Sequence, residues 1–301
     1  MLKMSLRYFA SVVQHGSIRA AAGELGVAQS AISRQVQALE RELGAPLLER
    51  RPRGVALTQA GELLFAYARQ TTFRAERLRS EIDALQGLRR GHVRVHAIEA
   101  MVPHLLPRAI DAFLAQFPGI TFEVEIAGTD QVQAAVREGR AEIGVGFCPE
   151  PAEEVRPVFR AREPLFAIVA PDHPLAPRRQ ISVRELASWP VAVPTRMTGS
   201  RNLFDGACRQ GRVEVRPALE TNSVELLHRF ALVGHGVAVL TRLTCIESLR
   251  AHQLVALRFQ EPEMSSGTID VITLAGRRLP VAAERFLVPL RRVLDALPAL
   301  A

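Results

Sequence analysis

Apolar positions recur at two different periods along the chain, and the change of period divides it. Leu6, Phe9, Val12 and Val13 fall at helical spacing, and His15-Gly16 ends that run. Ser17 is placed to cap a second helix whose apolar face is Ala21, Ala22 and Leu25, with Gly26 at the following turn. Ile32, Val36, Leu39 and Leu43 mark a third helix, closed by Gly44. Pro46 to Leu57 is short, basic and turn-rich and predicts a two-stranded wing. Thr58 then caps a long helix predicted to run to about Leu88. Its surface is polar except for one stripe, Leu64, Ala68, Thr71, Ala75, Leu78, Ile82 and Leu85, at alternating spacings of 4 and 3. That is the seam of a coiled coil. Packing of the stripe on its own domain is the alternative, but the flanks Arg69, Arg74, Glu76, Arg77, Arg79, Glu81 and Asp83 favour pairing with a second copy.

From Gly91 the pattern becomes strand–helix alternation. Strands are predicted at 93–98, 121–126, 143–146, 165–170, 191–193, 213–219, 237–240 and 268–274, with helices at 103–117, 130–138 and 280–297. Alternation of this kind predicts α/β sheets. Two sheets joined by crossing segments suit the length, and Pro262 to Gly267 reads as the return crossing. The expected division is 1–58, a linker helix 59–90, and 91–301, the last split into 91–162 with 268–301 and an inserted 163–267.

Charge sharpens the division. The net charge is +7, and residues 1–90 hold 14 Lys and Arg against 8 Asp and Glu, while the remainder is nearly balanced. A basic module joined to a neutral one points to a polyanion partner for the first part alone. No apolar run approaches the length of a membrane span, and the N-terminus lacks an apolar signal segment, so a cytoplasmic chain with no membrane partner is expected. Cys148, Cys208 and Cys245 are odd in number and widely spaced, which suits a reducing compartment and gives neither a disulfide framework nor a zinc site.

The chemistry-bearing stretch is Ser17 to Arg50, two short helices around Gly26. In a helix-turn-helix the first helix braces on the backbone and the second enters the major groove by its N-terminal residues. Gln29, Ser30, Ser33, Arg34 and Gln37 lie opposite the apolar face of the second helix, and Gln and Arg suit adenine and guanine edges. Ser17 and Arg19 on the first helix, and Arg51 and Arg53 on the wing, are placed for phosphates or a minor groove. Ala21-Ala22, Leu25, Gln29, Ser33, Gln35, Leu39-Glu40, Leu43-Gly44, Leu47, Arg50 and Leu57-Thr58-x-Ala60-Gly61 resemble the signature of LysR-type transcriptional regulators. Two positions depart from it: Ala28 stands where the family usually has Ser, and Ser30 where Pro is common.

Ala141 to Gly146, Asp172 to Ala176 and Val233 to Val239 are similar to segments of the family's effector domain. The resemblance implies an α/β chain overall: an all-α winged helix-turn-helix and linker helix, then two α/β subdomains like a type 2 periplasmic binding protein with a cleft between them. It also implies homodimers or homotetramers on double-stranded promoter DNA, contact with RNA polymerase, and control by a small-molecule effector without a cofactor. The expected cleft walls are Glu99, Ala100, Met101, Thr129, Phe147, Thr195, Thr198, Ser200 and Asn222. For the Ser, Thr and Asn residues a cap or turn role is the plainer alternative. The family often has Ser or Thr where Ala100 stands, and Glu99 adds negative charge beside it, so a simple carboxylate ligand is less secure here. A regulator acting without any effector stays open on the same ground. A solute-binding protein is opposed by the basic N-terminal module. An enzyme on a binding-protein-like fold is opposed by the lack of a nucleophile or acid–base set. His92 and His96 have no third metal ligand, Gly234-His235-Gly236 lacks the Lys and Ser/Thr of a phosphate loop, and Glu123 and Glu125 read as a solvated pair.

Overall fold

The computed structural model describes residues 2–51, 54–85, 88–196 and 198–296. Among them the chain forms two compact units, 1–79 and 80–301. Arg53 and the side chain of Leu85 lie outside the described residues.

The first unit begins with α1 (Leu2–His15), α2 (Ile18–Leu25) and α3 (Gln29–Leu43). Their apolar faces close a small core of Phe9, Val12, Ala21, Ala22, Ile32, Val36, Leu39 and Leu47. Ser17 caps α2 by accepting the Ala20 N–H at 3.1 Å, and Gly26 ends it at φ 64°. Leu43, assigned to the apolar face of α3, is instead more than half exposed, because Gly44 ends the helix there. The wing is an antiparallel pair, β1 (Leu48–Arg51) and β2 (Gly54–Leu57). α4 (Gln59–Leu85) follows, with Thr58 accepting the Gly61 N–H at 3.0 Å and donating to the Pro46 carbonyl at 2.6 Å. Gly61 has no room for a side chain, since a Cβ there would lie 2.1 Å from the Leu47 carbonyl oxygen.

α4 ends before Leu88, short of the predicted limit. Leu88 takes φ 55°, outside helical geometry, and is buried in the core of the second unit. That unit continues through β3 (Gly91–Ala97), α5 (Leu105–Leu114), β4 (Ile120–Ile126), α6 (Thr129–Glu138), β5 (Ile143–Phe147) and β6 (Val155–Arg162). After a first crossing come β7 (Leu165–Val169), β8 (Gln180–Ile181), α7 (Val183–Leu186), β9 (Val191–Pro194), α8 (Gly199–Gln210), β10 (Leu219–Thr221), α9 (Val224–Leu232), β11 (Val237–Thr241), α10 (Ile246–Arg250) and β12 (Val255–Phe259). The chain then returns to β13 (Thr268–Leu274) and α11 (Val281–Asp295).

Two sheets result, in the orders β4-β3-β5-β13-β6 and β10-β9-β11-β7-β12-β8. Pairing of β4, β3 and β5 is parallel, as is that of β10, β9 and β11, so each sheet aims the carboxyl ends of three neighbouring strands the same way. Between the sheets the chain crosses at 163–164 and 260–267, and the Glu163 N–H donates to the Gly267 carbonyl at 2.9 Å.

The predicted strand 213–219 is mostly irregular, and only Leu219–Thr221 pairs, with β9. Val213 and Val215 do pack on the core while Glu214 and Arg216 face out, so the alternation is real. Strand pairing begins only after Pro217, which has no N–H to donate.

The close approach at Gly61 gives a direct check. Gly61→Ala is expected to lower the stability of the first unit by about 1–3 kcal/mol, the usual cost of overpacking. Equilibrium denaturation of the full chain measures it, and an unchanged first transition would contradict the contact.

Candidate functional site

In the first unit, α3 presents one polar face. Gln29, Ser30, Arg34 and Gln37 are exposed and Ser33 is half-buried, while Ile32, Val36 and Leu39 are buried on the opposite side. The Arg34 Nε donates to the Ser30 carbonyl at 3.2 Å, which lays the stem along the helix and leaves the guanidinium in solvent. Ala28 precedes the helix in extended geometry and offers no side-chain acceptor to it.

Other residues of the signature brace this face. The Ser5 hydroxyl donates to Gln35 Oε1 at 2.5 Å. Glu40 accepts the backbone N–H groups of Leu47 and Leu48 at 2.9 and 3.4 Å, tying the start of the wing to α3. The Val55 N–H donates to the Gly16 carbonyl at 2.9 Å and ties the wing to the turn before α2. Arg19 and Arg51 are exposed, and Arg51 lies 3.7 Å from Glu49 in a solvated pair. Ser17 is half-buried, its hydroxyl engaged in the cap of α2.

The α4 stripe divides in two. Leu64 packs on the core of the first unit, as the own-domain alternative had it for that end, and Ala68 is buried. Thr71 is half-buried and Ala75 exposed. Farther along, Leu78 and Ile82 are 59% and 50% exposed, apolar groups that the single chain leaves in water.

In the second unit, the carboxyl ends of the parallel strands meet across a cavity of about 530 Å³. Such a volume lies within the range of small-molecule sites, and strand ends are where α/β sheets hold ligands. From one sheet come Glu99, Ala100, Thr129 and Phe147, and from the other Thr195, Thr198, Ser200 and Asn222. Met101, expected beside them, does not line it. It belongs to a 3-10 turn (Glu99–Met101) that follows β3 and directs its side chain into the core, leaving it 1% exposed.

Several polar walls are already engaged. Thr198 caps α8, accepting the Arg201 N–H at 3.3 Å and donating to the Thr195 carbonyl at 3.0 Å, and the Ser200 hydroxyl turns onto it at 3.2 Å. The buried Thr129 hydroxyl donates to the Phe147 carbonyl at 3.4 Å. Asn222 is exposed and its side chain makes no hydrogen bond among the described residues.

Two features stand out: Gly199, within the stretch Thr195 to Arg201 read as a candidate wall, and Glu163, which was not singled out in the sequence. Gly199 lies where a Cβ would sit 2.3 Å from the Phe147 carbonyl oxygen, so the two sheets approach backbone to backbone beside the cavity. Glu163 is buried at the first crossing and accepts the Leu243 N–H at 3.0 Å, next to the cavity residues Thr241 and Thr244. Burial pushes its carboxyl up, against the pull of the Leu243 N–H and the Thr241 hydroxyl. Neither role shows as a periodicity, because both depend on which segments the crossings bring together.

Glu123 and Glu125 are exposed, as read, and each lies 3.2 Å from a histidine across the β3–β4 pair, His92 and His96. Burial lowers the His96 pKa, against the opposing pull of the Glu125 carboxylate. Burial raises all three thiols, Cys208 to about 11 and Cys245 to about 12, which leaves them protonated and poor nucleophiles. Among the described residues no group of His, Cys, Asp and Glu could hold a metal ion, and no helix is long and apolar enough to cross a membrane.

Known proteins match both units. Residues 4–62 match the model of the bacterial regulatory helix-turn-helix protein, lysR family, and residues 86–295 match that of the LysR substrate binding domain. The RuBisCO operon transcriptional regulator of Allochromatium vinosum is 28% identical over 282 residues, 93% of this chain and 92% of its own. A full-length OxyR variant from Pseudomonas aeruginosa has the same fold at a TM-score of 0.73 and 23% identity, over 100% of this chain and 96% of its own. Full-length CbnR complexed with its target DNA gives a TM-score of 0.56 and 23% identity, over 98% of this chain and 100% of its own.

The Glu163 carboxyl predicts a pH dependence. Its folded pKa is raised, so between the unfolded and folded values the native chain holds a proton that the unfolded chain has released. Stability from this group is complete below the unfolded value and falls as pH rises through the folded one. Glu163→Gln keeps an oxygen for the Leu243 N–H without the titration. The melting temperature of the variant relative to the parent is expected to rise as pH increases above about 4, the ordinary glutamate value; a constant difference would contradict it.

Proposed function

The chain belongs to the LysR family and is a transcriptional regulator with a substrate-binding domain, and we propose that Gln29, Ser30, Ser33, Arg34 and Gln37 read its operator while the 80–301 cavity takes the controlling effector. The observation that carries this reading is the exposed polar face of α3, opposite a fully buried apolar one. A helix so mounted offers its first turns to a major groove and nothing else to its own core. Arg19 and Arg51 flank it as phosphate contacts. In this reading residues 1–58 bind DNA, 59–90 pair two copies, and 91–301 sense the ligand.

The apolar groups on the outer part of α4 support pairing. Leu78 and Ile82 lie one helical turn apart on a polar helix, the spacing of a coiled-coil seam. A dimer so joined presents two recognition helices to half-sites of one promoter, and a tetramer presents four. The ligand cavity favours control by an effector over a regulator that acts without one, since a ligand held between two lobes shifts their equilibrium by its differential affinity. The protein then works in the cytoplasm beside RNA polymerase, without a cofactor and without catalysis.

Binding of the full chain to a duplex from its own upstream intergenic region, against a random duplex, tests this. Specific binding is expected to exceed random binding by ~10³-fold or more and to weaken steeply with salt. Arg34→Ala is expected to cost ~1–3 kcal/mol of that discrimination. Equal weakening on both duplexes would reduce Arg34 to a phosphate contact, and no binding to either at low salt would overturn the reading. Leu78→Asp is expected to dissociate the dimer, and an unchanged mass in light scattering would reject the seam.

A further inference from the structure

Glu99 lies at the cavity wall in the 3-10 turn after β3, and its carboxylate does not point at open space. It crosses to the other sheet and closes on the start of α9. Its Oε2 accepts the Val224 N–H at 2.9 Å, and its Oε1 accepts the Glu225 N–H at 3.4 Å and the Ser223 hydroxyl at 3.3 Å. Ser223 in turn accepts the Leu226 N–H at 3.3 Å as the cap of the helix. The first three N–H groups of α9 therefore have acceptors, and Glu99 supplies two of them from 125 and 126 residues away in the chain. A helix start with free N–H groups is a place where an anion is held. Here the protein has filled it with its own.

The rest of the wall has the same character. Among the described residues lining the cavity none is Lys, Arg or His, and the second charged one is Asp130, in the first turn of α6. The start of α8 carries its own Thr198 cap with the Ser200 hydroxyl folded onto it. Apolar groups make up much of the remainder, including Ile98, Phe147, Leu165, Leu227 and Val239. A carboxylate ligand entering this space would meet two resident carboxylates, no countercharge, and an α9 terminus already occupied. Desolvating a charge without a partner is strongly unfavourable.

We propose that Glu99 is a built-in anion that sets the specificity of the cavity: the effector is a neutral or cationic, largely apolar molecule, and an organic carboxylate is admitted only when Glu99 is removed. The same side chain is a bridge between the sheets, so its bonds to α9 also hold the cavity together when no ligand is present. This deepens the reading of the cavity as the effector site and rests on it.

The test is melting of the full-length protein without DNA. Glu99→Ala is expected to melt several degrees below the parent, and sodium acetate is expected to restore at least half of that loss where sodium chloride at the same ionic strength does not. Benzoate, an anion that also fills apolar space, is expected to stabilise Glu99→Ala and leave the parent unmoved. Glu99→Gln keeps an oxygen for the Val224 N–H and fills the same volume. It is expected to fold like the parent and to be indifferent to acetate, which keeps the test open should the alanine variant fold poorly. The proposal is overturned if benzoate stabilises the parent as much as Glu99→Ala, if acetate and chloride act alike on Glu99→Ala, or if Glu99→Ala melts like the parent. None of these readouts involves an operator, so a failed rescue speaks against Glu99 alone, whereas absent operator binding speaks against the regulator reading.

Discussion

The Glu163 N–H to Gly267 carbonyl bond joins the two segments by which the chain passes between its sheets, and the ligand-binding unit is organised around that junction. With both crossings side by side, the carboxyl ends of the parallel strands in each sheet are turned toward one another. The helix starts that follow those strands are brought with them, which is why α6, α8 and α9 all open on the same space. Gly267 packs so closely that a Cβ would meet the Phe147 ring at 2.6 Å, and Phe147 also lines the cavity. Phe147 thus touches both the cavity and the segment about which the lobes are joined, so a shift at the cavity wall reaches that segment through one side chain. Packed interiors transmit such shifts because they have few voids to absorb them.

Much of the first unit was legible because its rules are local. Helical spacing located Phe9, Val12, Ile32, Val36 and Leu39 in the core, and the chemistry of Ser17, Gly26, Gly44 and Thr58 located the ends of helices. The resemblance to the family named Gln35, Glu40 and Gly61 without saying why they are needed. The structure supplies reasons: a hydroxyl partner, two wing N–H groups, and a carbonyl too close for any side chain. In the second unit the strands buried on both faces, β5, β7, β9 and β11, were visible as apolar runs. β6 and β12 were not. β6 is an edge strand whose run is broken by Pro157 and by Arg156, Arg160 and Arg162, so it carries no continuous apolar face. β12 offers only Val255, Ala256 and Leu257 before Arg258, too short a run to stand out.

The cavity walls were expected on different grounds from those that shape the cavity. Thr198, Ser200 and Thr129 were expected as cleft walls with a cap or turn role as the plainer alternative, and the structure engages those hydroxyls in the α8 cap and on the Phe147 carbonyl. What shapes the space is backbone, such as Gly199 against Phe147, and apolar surface, such as Leu165 and Val239. Met101 shows the limit of counting along a turn. One residue beyond Ala100 the 3-10 geometry has already rotated the side chain into the core.

Ala28, a departure from the family pattern, and Glu99, beside the departure at Ala100, both bear on helix starts and act in opposite directions. Ala28 removes a side-chain acceptor at the start of α3, where a capping residue in place of Ala contributes about 0.5–2 kcal/mol. The turn before α3 is fixed by other means: Gly26 in the left-handed region and the Val27 N–H on the Ala22 carbonyl at 3.1 Å. The Ala31 N–H turns to the Ala28 carbonyl at 3.0 Å, and the N–H groups of Gln29 and Ser30 are left to solvent or to an outside oxygen. At α9 the reverse holds. Glu99 adds an acceptor that the helix does not require, since Ser223 already caps it, and the addition comes from the opposite sheet. An exposed helix start left open belongs at a surface that meets phosphates, and a helix start closed from within belongs in a cavity that turns anions away. Ala28 and Glu99 are therefore consistent with one division of the molecule, in which negative charge is met by the first unit and kept out of the second.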